Sequence, residues 1–374
     1  MNVIQLTKKL IRFNTINPPG NEAEIAKYIG KLLAVNGFNI EYPKHCINRL
    51  NIIASKGLTK NKPPIILTGH LDVVPLGEND WSYDPFNAEI KDGKLYGRGT
   101  TDMKAGVAAM IIAAIEVFTK TQPDGGVKLI FTADEELGCN GAKKLFDSGY
   151  DIGKASAIVV GEPTSNTPFI GHKGGLYMTA KTTGITAHSS MPHLGDNAIY
   201  KAANAITKIE KIEFDVENDP LLGLPTINVG KFNGGLNLNS VPDYAEFTID
   251  IRSTTKLKNE KAFKELQNQL GPDVKIEKMV DLNAISTDEN SPFIKMVYAV
   301  CKIDSSKKES SKSAPFLTDA AVLTPWLDNV PTIILGPGEP EMAHQTDEYC
   351  YVQKIKDVVN LYKEIIINNS RIQC

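Results

Sequence analysis

The sequence predicts an α/β protein: a mostly parallel sheet sandwiched by helices, with a ferredoxin-like α+β unit inserted into it. Three observations carry this. Four runs of strand length, "PPIIL", "VKLIF", "ASAIVV" and "VPTIIL", are apolar almost without interruption, the mark of strands covered on both faces. Helical patterns lie between the early runs, at 23–35, 103–118 and 141–147, giving the alternation of a parallel sheet. The middle of the chain then changes its period.

There, "LYMTAKTTG", "PTINVGKF", "YAEFTIDIRS" and "DVKIEKMV" alternate apolar and polar residues, so each reads as a half-exposed strand. Amphipathic helices are expected at 197–212 and 259–270, giving the order β-α-β-β-α-β. A chain of 374 residues exceeds one ordinary core. The expected division is a catalytic domain over 1–175 and 286–374 and an inserted domain over 176–285. The chain closes on a helix at 352–367, and "DSSKKESSKS" at 304–313 reads as a mobile surface loop.

Composition narrows the function. Hydrophobic residues make up 42% and charged residues 23%, as in a soluble globular protein. The net charge is −3 with no basic stripe, which argues against a nucleic-acid partner. The apolar run 105–115 stops at Glu116, too short to span a bilayer, so no membrane association is expected. The five cysteines are scattered with no CxxC, against a disulfide framework or a thiolate metal site. With no signal-peptide pattern at the N-terminus, a cytoplasmic setting is expected.

The chemistry gathers where the buried strands end. "IILTGHLD" supplies His70 and Asp72, "LIFTADEE" supplies Glu135 and Glu136, "AIVVGEPT" supplies Glu162, and the loop after "TIILGPG" supplies His344. Asp102 in "GRGTTDMKAG" precedes the apolar helix. Sites in open α/β sheets form beyond the carboxyl ends of the strands. One acid after a strand is ordinarily a cap or a solvated turn; acid or histidine after four such strands is a pattern. His70, Asp102, Glu136, Glu162 and His344 are the imidazole and carboxylate inventory of two zinc ions. A dication also explains why Asp134, Glu135 and Glu136 stand together at a core exit despite their mutual repulsion. One of that group ligates while a neighbour serves as base; Asp134 reads as the member without a role. His45, His172 and His193 read as structural.

These motifs, with "WSYDPFNAEIKDGKLYGRGTTDMKAG", "TAHSSMPHLGDNAI" and "AHQTDEY", resemble the di-zinc metallopeptidase family of acetylornithine deacetylase and succinyl-diaminopimelate desuccinylase, along nearly the whole chain. The resemblance implies two Zn²⁺ per chain, replaceable by Co²⁺ or Mn²⁺. His70, Asp102 and Glu162 would hold one ion, and Asp102, Glu136 and His344 the other. Glu135 would be the general base and acid, and Asp72 would orient His70. The inserted domain would be a lid and homodimerisation domain, with His188 reaching the partner's site. Asn239 and Arg252 would contact substrate, and Gly336 and Gly338 would line the pocket. The expected activity is hydrolysis of a small N-acyl amino acid in amino-acid biosynthesis. The stretches around 162 and 344 lean toward acetylornithine deacetylation in an arginine pathway. Desuccinylation in a lysine pathway is the second expectation, and a dipeptidase or carboxypeptidase the third.

Overall fold

The computed structural model describes residues 1–304 and 312–372; most of the loop expected at 304–313 lies outside the described residues. Contacts divide the chain into two compact units. One comprises Met1–Gly171, Ser286–Ala314 and Thr318–Cys374, the other His172–Ile285 and Pro315–Leu317.

The first unit is built on a nine-stranded sheet. Its centre is Val127–Thr132, Ile65–His70, Ala157–Val160 and Thr332–Ile334, in that spatial order. These pair in parallel and are buried along their whole length. Parallel pairing needs a crossover on a sheet face, and the continuous apolar runs bury both faces those crossovers create. Ile52–Lys56 and Asn39–Glu41 extend one side antiparallel. The helix Ala105–Lys120 is apolar on nearly every side and packs against the C-terminal helix Val352–Asn369. Because the central strands are parallel, their carboxyl ends lie along one edge. His70 and Thr132 end their strands there, with Glu162 two residues beyond Val160.

The second unit is a four-stranded antiparallel sheet in the order Thr226–Gly234, Tyr244–Arg252, Gly175–Thr183, Val274–Leu282. With the helices Ala198–Ile209 and Asn259–Leu270 it has the expected β-α-β-β-α-β order. Alternation does the work here: Leu176, Met178 and Ala180 face inward with Phe247, Ile249 and Ile251, against Ala202 and Leu266 of the helices. Asn197 starts the first helix by accepting hydrogen bonds from the Ile199 and Tyr200 amides, which removes orphan donors. The edge strand Thr226–Gly234 is mostly exposed.

Candidate active site

Five side chains from separate strand ends and loops of the first unit converge into two triads. His70, Asp102 and Glu162 form one; Asp102, Glu136 and His344 form the other, with Asp102 in both. His70 Nε2 lies 2.9 Å from Asp102 Oδ1 and 3.6 Å from Glu162 Oε1. His344 Nε2 lies 3.3 Å from Asp102 Oδ2 and 3.2 Å from Glu136 Oε2. Asp102 thus offers one oxygen to each imidazole, the disposition of a bridging carboxylate.

The local backbone explains the presentation. Asp102 stands in an irregular turn that begins at Gly99, whose φ of 87° favours glycine, and the peptide to Met103 is cis. Regular helix starts only at Ala105, later than the expected 103. His344 has φ of 65° and its side chain is 53% exposed, so it is presented from a loop, while His70 ends a buried strand.

The electrostatics describe a site that needs positive charge. Burial pushes Glu136 up to about 7, assisted by the nearby charge of Asp102. Burial raises Glu162 and Glu135 well above the ordinary carboxylate range. Burial would raise Asp102 too, but hydrogen bonds from His344 and His70 outweigh it and hold it low. Hydrogen bonds to Asp102 and Glu136 lift His344 to about 10.

The residues fit a pair of divalent cations on two further observations. Glu136 Oε1 is buried with no hydrogen-bond partner. His70 Nδ1 lies 3.0 Å from the Asp72 main-chain oxygen, so Nδ1–H donates there. Nε2 is then left with a lone pair facing two carboxylates, which a cation or an added proton must separate. The donor set is imidazole and carboxylate, suited to zinc and its divalent neighbours.

Around the triads, the structure revises several expectations. The Asp72 carboxylate stands 3.7 Å from His70 Nδ1, and the main-chain oxygen of Asp72 orients the ring instead. The carboxylate accepts the amides of Glu135 and Glu136 and the Asn17 side-chain amide, so it shapes the acidic loop. Asp134 is not idle: nearly buried at φ of 61°, it accepts from Asn17 and lies 2.9 Å from His45 and 3.2 Å from Arg49. His45, expected to be structural, is paired with it. Glu135 is buried, and the Cys139 thiol lies 3.4 Å from its Oε1; Asp319 completes that cluster with one unpartnered buried oxygen.

Gly336 and Gly338 are explained by close packing. A Cβ on Gly336 would meet Gly161 O at 2.2 Å, and one on Gly338 would meet Thr101 O at 2.5 Å. In the second unit, His188 and Asn239 are exposed and adjacent, since the Ser189 amide donates to Asn239 O. His188 Nδ1 accepts from the Ser190 hydroxyl at 2.8 Å. Arg252 pairs with Asp250 at 2.9 Å and stacks over Tyr177. Arg98, Glu348, Asn17, Asp319 and Cys139 had no assigned role in the sequence; Arg98 and Glu348 lay inside quoted motifs, and their partners are remote.

Among the described residues, no helix is long and apolar enough to cross a membrane. The model of Peptidase family M20/M25/M40 matches residues 66–368. A Staphylococcus aureus strain Mu50 protein named "Probable succinyl-diaminopimelate desuccinylase" is 34% identical over 94% of this chain and 95% of its own. Acetylornithine deacetylase of Vibrio vulnificus is 31% identical over 88% and 87%. An M20 family metallo-carboxypeptidase from Sulfolobus solfataricus superposes with a TM-score of 0.82 at 18% identity, covering 100% of both chains. A dinuclear metal-binding M20 peptidase from Bacillus subtilis does so with 0.71 at 15%, covering 99% and 98%. A matched family model over most of the chain and two full-length relatives above 30% identity lead to one conclusion: the chain belongs to Peptidase family M20/M25/M40, a metal-dependent family of hydrolases acting on amide bonds.

Proposed function

We propose that this hydrolase removes the acyl group from a small N-acyl amino acid, using two divalent cations, zinc first among them, held by His70, Asp102 and Glu162 and by Asp102, Glu136 and His344. The observation that carries the reading is the pair of triads sharing Asp102. Bound there, the cations would polarise the scissile carbonyl and make the attacking water more acidic. Glu135 accepts the proton of that water as oxygen adds to the carbonyl carbon, then delivers it to the departing amine nitrogen as the C–N bond breaks. A base whose pKa is lifted by burial, with like charge from Asp319 and Glu136 adding to it, is suited to both halves of that transfer near neutral pH. Asp72 keeps Glu135 and Glu136 in register through their amides. Arg252 suits a substrate carboxylate, Asn239 a further polar contact, and Gly336 and Gly338 a backbone-lined wall. His188 donates to the oxyanion from a second copy of the chain, paired through the inserted unit. Its edge strand Thr226–Gly234 and the exposed Leu236 and Leu238 beyond it suit such pairing.

Among acyl groups, the succinyl-diaminopimelate reading now leads because relatives bearing that name align over nearly the full chain. The acetylornithine reading keeps the support of a named relative and of the stretches around 162 and 344. Both place the enzyme in amino-acid biosynthesis, the first toward lysine and the second toward arginine, in the cytoplasm. The test compares kcat/KM for N-succinyl-diaminopimelate, N-acetylornithine and simple dipeptides. A preference of at least tenfold for one acyl amino acid is expected (about 1.4 kcal/mol in transition-state binding). Equal or faster turnover of dipeptides would overturn the reading.

A further inference from the structure

The His344 side of the site has an unusual dependence. His70 is locked by its strand, but His344 hangs from an exposed loop, and Asp102 sits in a turn outside any regular helix. Something must fix the distance between two loops so far apart in sequence. The carboxylate of Glu348 and the guanidinium of Arg98 both do so, and both are almost completely buried.

Glu348 lies four residues after His344, yet its side chain serves the other loop. Oε1 accepts the amides of Thr101 at 2.7 Å and Asp102 at 3.1 Å. Oε2 accepts the Gly99 amide at 3.0 Å and Arg98 Nη1 at 2.7 Å. Arg98 runs the opposite way: it leaves the Asp102 turn and donates to the main-chain oxygens of Gln345 at 3.1 Å and His344 at 3.5 Å, and to Pro75 at 3.0 Å. Thr101 Oγ1 adds a tie to Tyr349 O at 2.6 Å. A buried ion pair is costly in water-free surroundings unless its remaining hydrogen-bonding positions are filled. Here most are filled by the backbones of the two loops carrying Asp102 and His344 and by the Pro75 oxygen, with Arg98 Nε left buried without a partner. Neither residue is placed to touch substrate or metal; both act through those loops.

We propose that Arg98 and Glu348 are positioning residues that set the Asp102–His344 spacing and with it the affinity of the metal position containing His344. The inference rests on the two-cation reading above. Asp102 belongs to both positions, but the His70 position keeps two ligands, His70 and Glu162, that the clamp does not hold. Damage to the clamp therefore falls unequally. Residues that orient ligands from behind typically change metal affinity by roughly 10–100-fold.

The test is titration of metal-free protein with Zn²⁺ against a competing chelator, for wild type, Arg98→Lys, Glu348→Gln and Thr101→Val. Arg98→Lys keeps the charge but not the fork. Thr101→Val removes one hydroxyl tie with no buried charge disturbed, so it reads the same effect should either charge variant fail to fold. Two binding steps are expected in wild type. One step should loosen by at least tenfold in Arg98→Lys and Glu348→Gln and by a few-fold in Thr101→Val, with the other step within threefold of wild type. Equal weakening of both steps in folded protein, or no change in either, would overturn the clamp while leaving the two-cation reading intact. One binding step or none in wild type would remove that reading, and the clamp with it.

Discussion

At Asp134, Glu135 and Glu136, three adjacent carboxylates divide their labour by the direction each one faces. Asp134 turns back on a positive φ to Asn17, His45 and Arg49. Glu135 is buried beside Cys139, and Glu136 meets His344. Glu135→Gln should leave metal content near wild type and lower kcat by roughly 10²–10⁴-fold, the usual loss for a general base. Glu136→Gln should lose metal first. Metal analysis beside steady-state kinetics checks the pair, and the opposite pattern would exchange their roles. Asp134→Asn removes a charged acceptor from a buried network, so urea unfolding should show a loss of about 2 kcal/mol with metal binding retained. The sequence shows the acids because each follows a buried strand. It hides the role of Asp134, because His45 and Arg49 come from a short two-stranded ribbon with no pattern of its own. The difference at Asp72 has a similar origin: a main-chain oxygen can orient an imidazole as well as a carboxylate can, and residue type does not reveal which does.

Among elements, the central strands and most helices fall where apolar periodicity puts them, since burial on two faces leaves a continuous signature. The start of the helix Ala105–Lys120 differs because Glu348 takes the amides of Gly99, Thr101 and Asp102. An ordinary helix would satisfy its first amides locally; here an acceptor from the far end of the chain holds the turn open, invisible to any local window. His172, at the end of the strand Phe169–His172, gives an element-scale prediction. It is buried, its Nδ1 is 2.8 Å from Lys173 O, and its Nε2 has no partner. Burial pushes its pKa down to about 4. The folded state therefore refuses a proton that the unfolded chain accepts below about 6.5. Stability from this group is full above that pH and falls as pH drops from about 6.5 toward 4, by about 2 kcal/mol between pH 7 and pH 5. Urea unfolding of wild type and His172→Gln across that range checks it: the variant should lose less stability than wild type on acidification. Identical slopes would mean that His172 does not titrate on unfolding.

For the whole molecule, the parallel sheet places candidate metal ligands from remote sequence positions along one edge, and the sequence reveals this because strand ends are readable without knowing the loops. Substrate choice is not readable in that way. In the proposed reading it depends on side chains of the second unit, where Arg252 pairs with Asp250 and His188 with Ser190 within a single chain. If His188 acts on a partner's site, mixing inactive His188→Ala with inactive Glu135→Ala under subunit exchange should restore activity at one site per heterodimer. No recovery despite verified exchange would place His188 in its own chain's site or outside catalysis. The most direct test of the shared-carboxylate account is a Zn²⁺ titration of metal-free protein, reading bound metal and N-acyl amino acid hydrolysis together. Two ions per chain should bind in wild type, with hydrolysis rising as they do, and both binding and hydrolysis should collapse in Asp102→Ala. Full hydrolysis by a chain saturated with a single ion, or two ions held undiminished by Asp102→Ala, would contradict it.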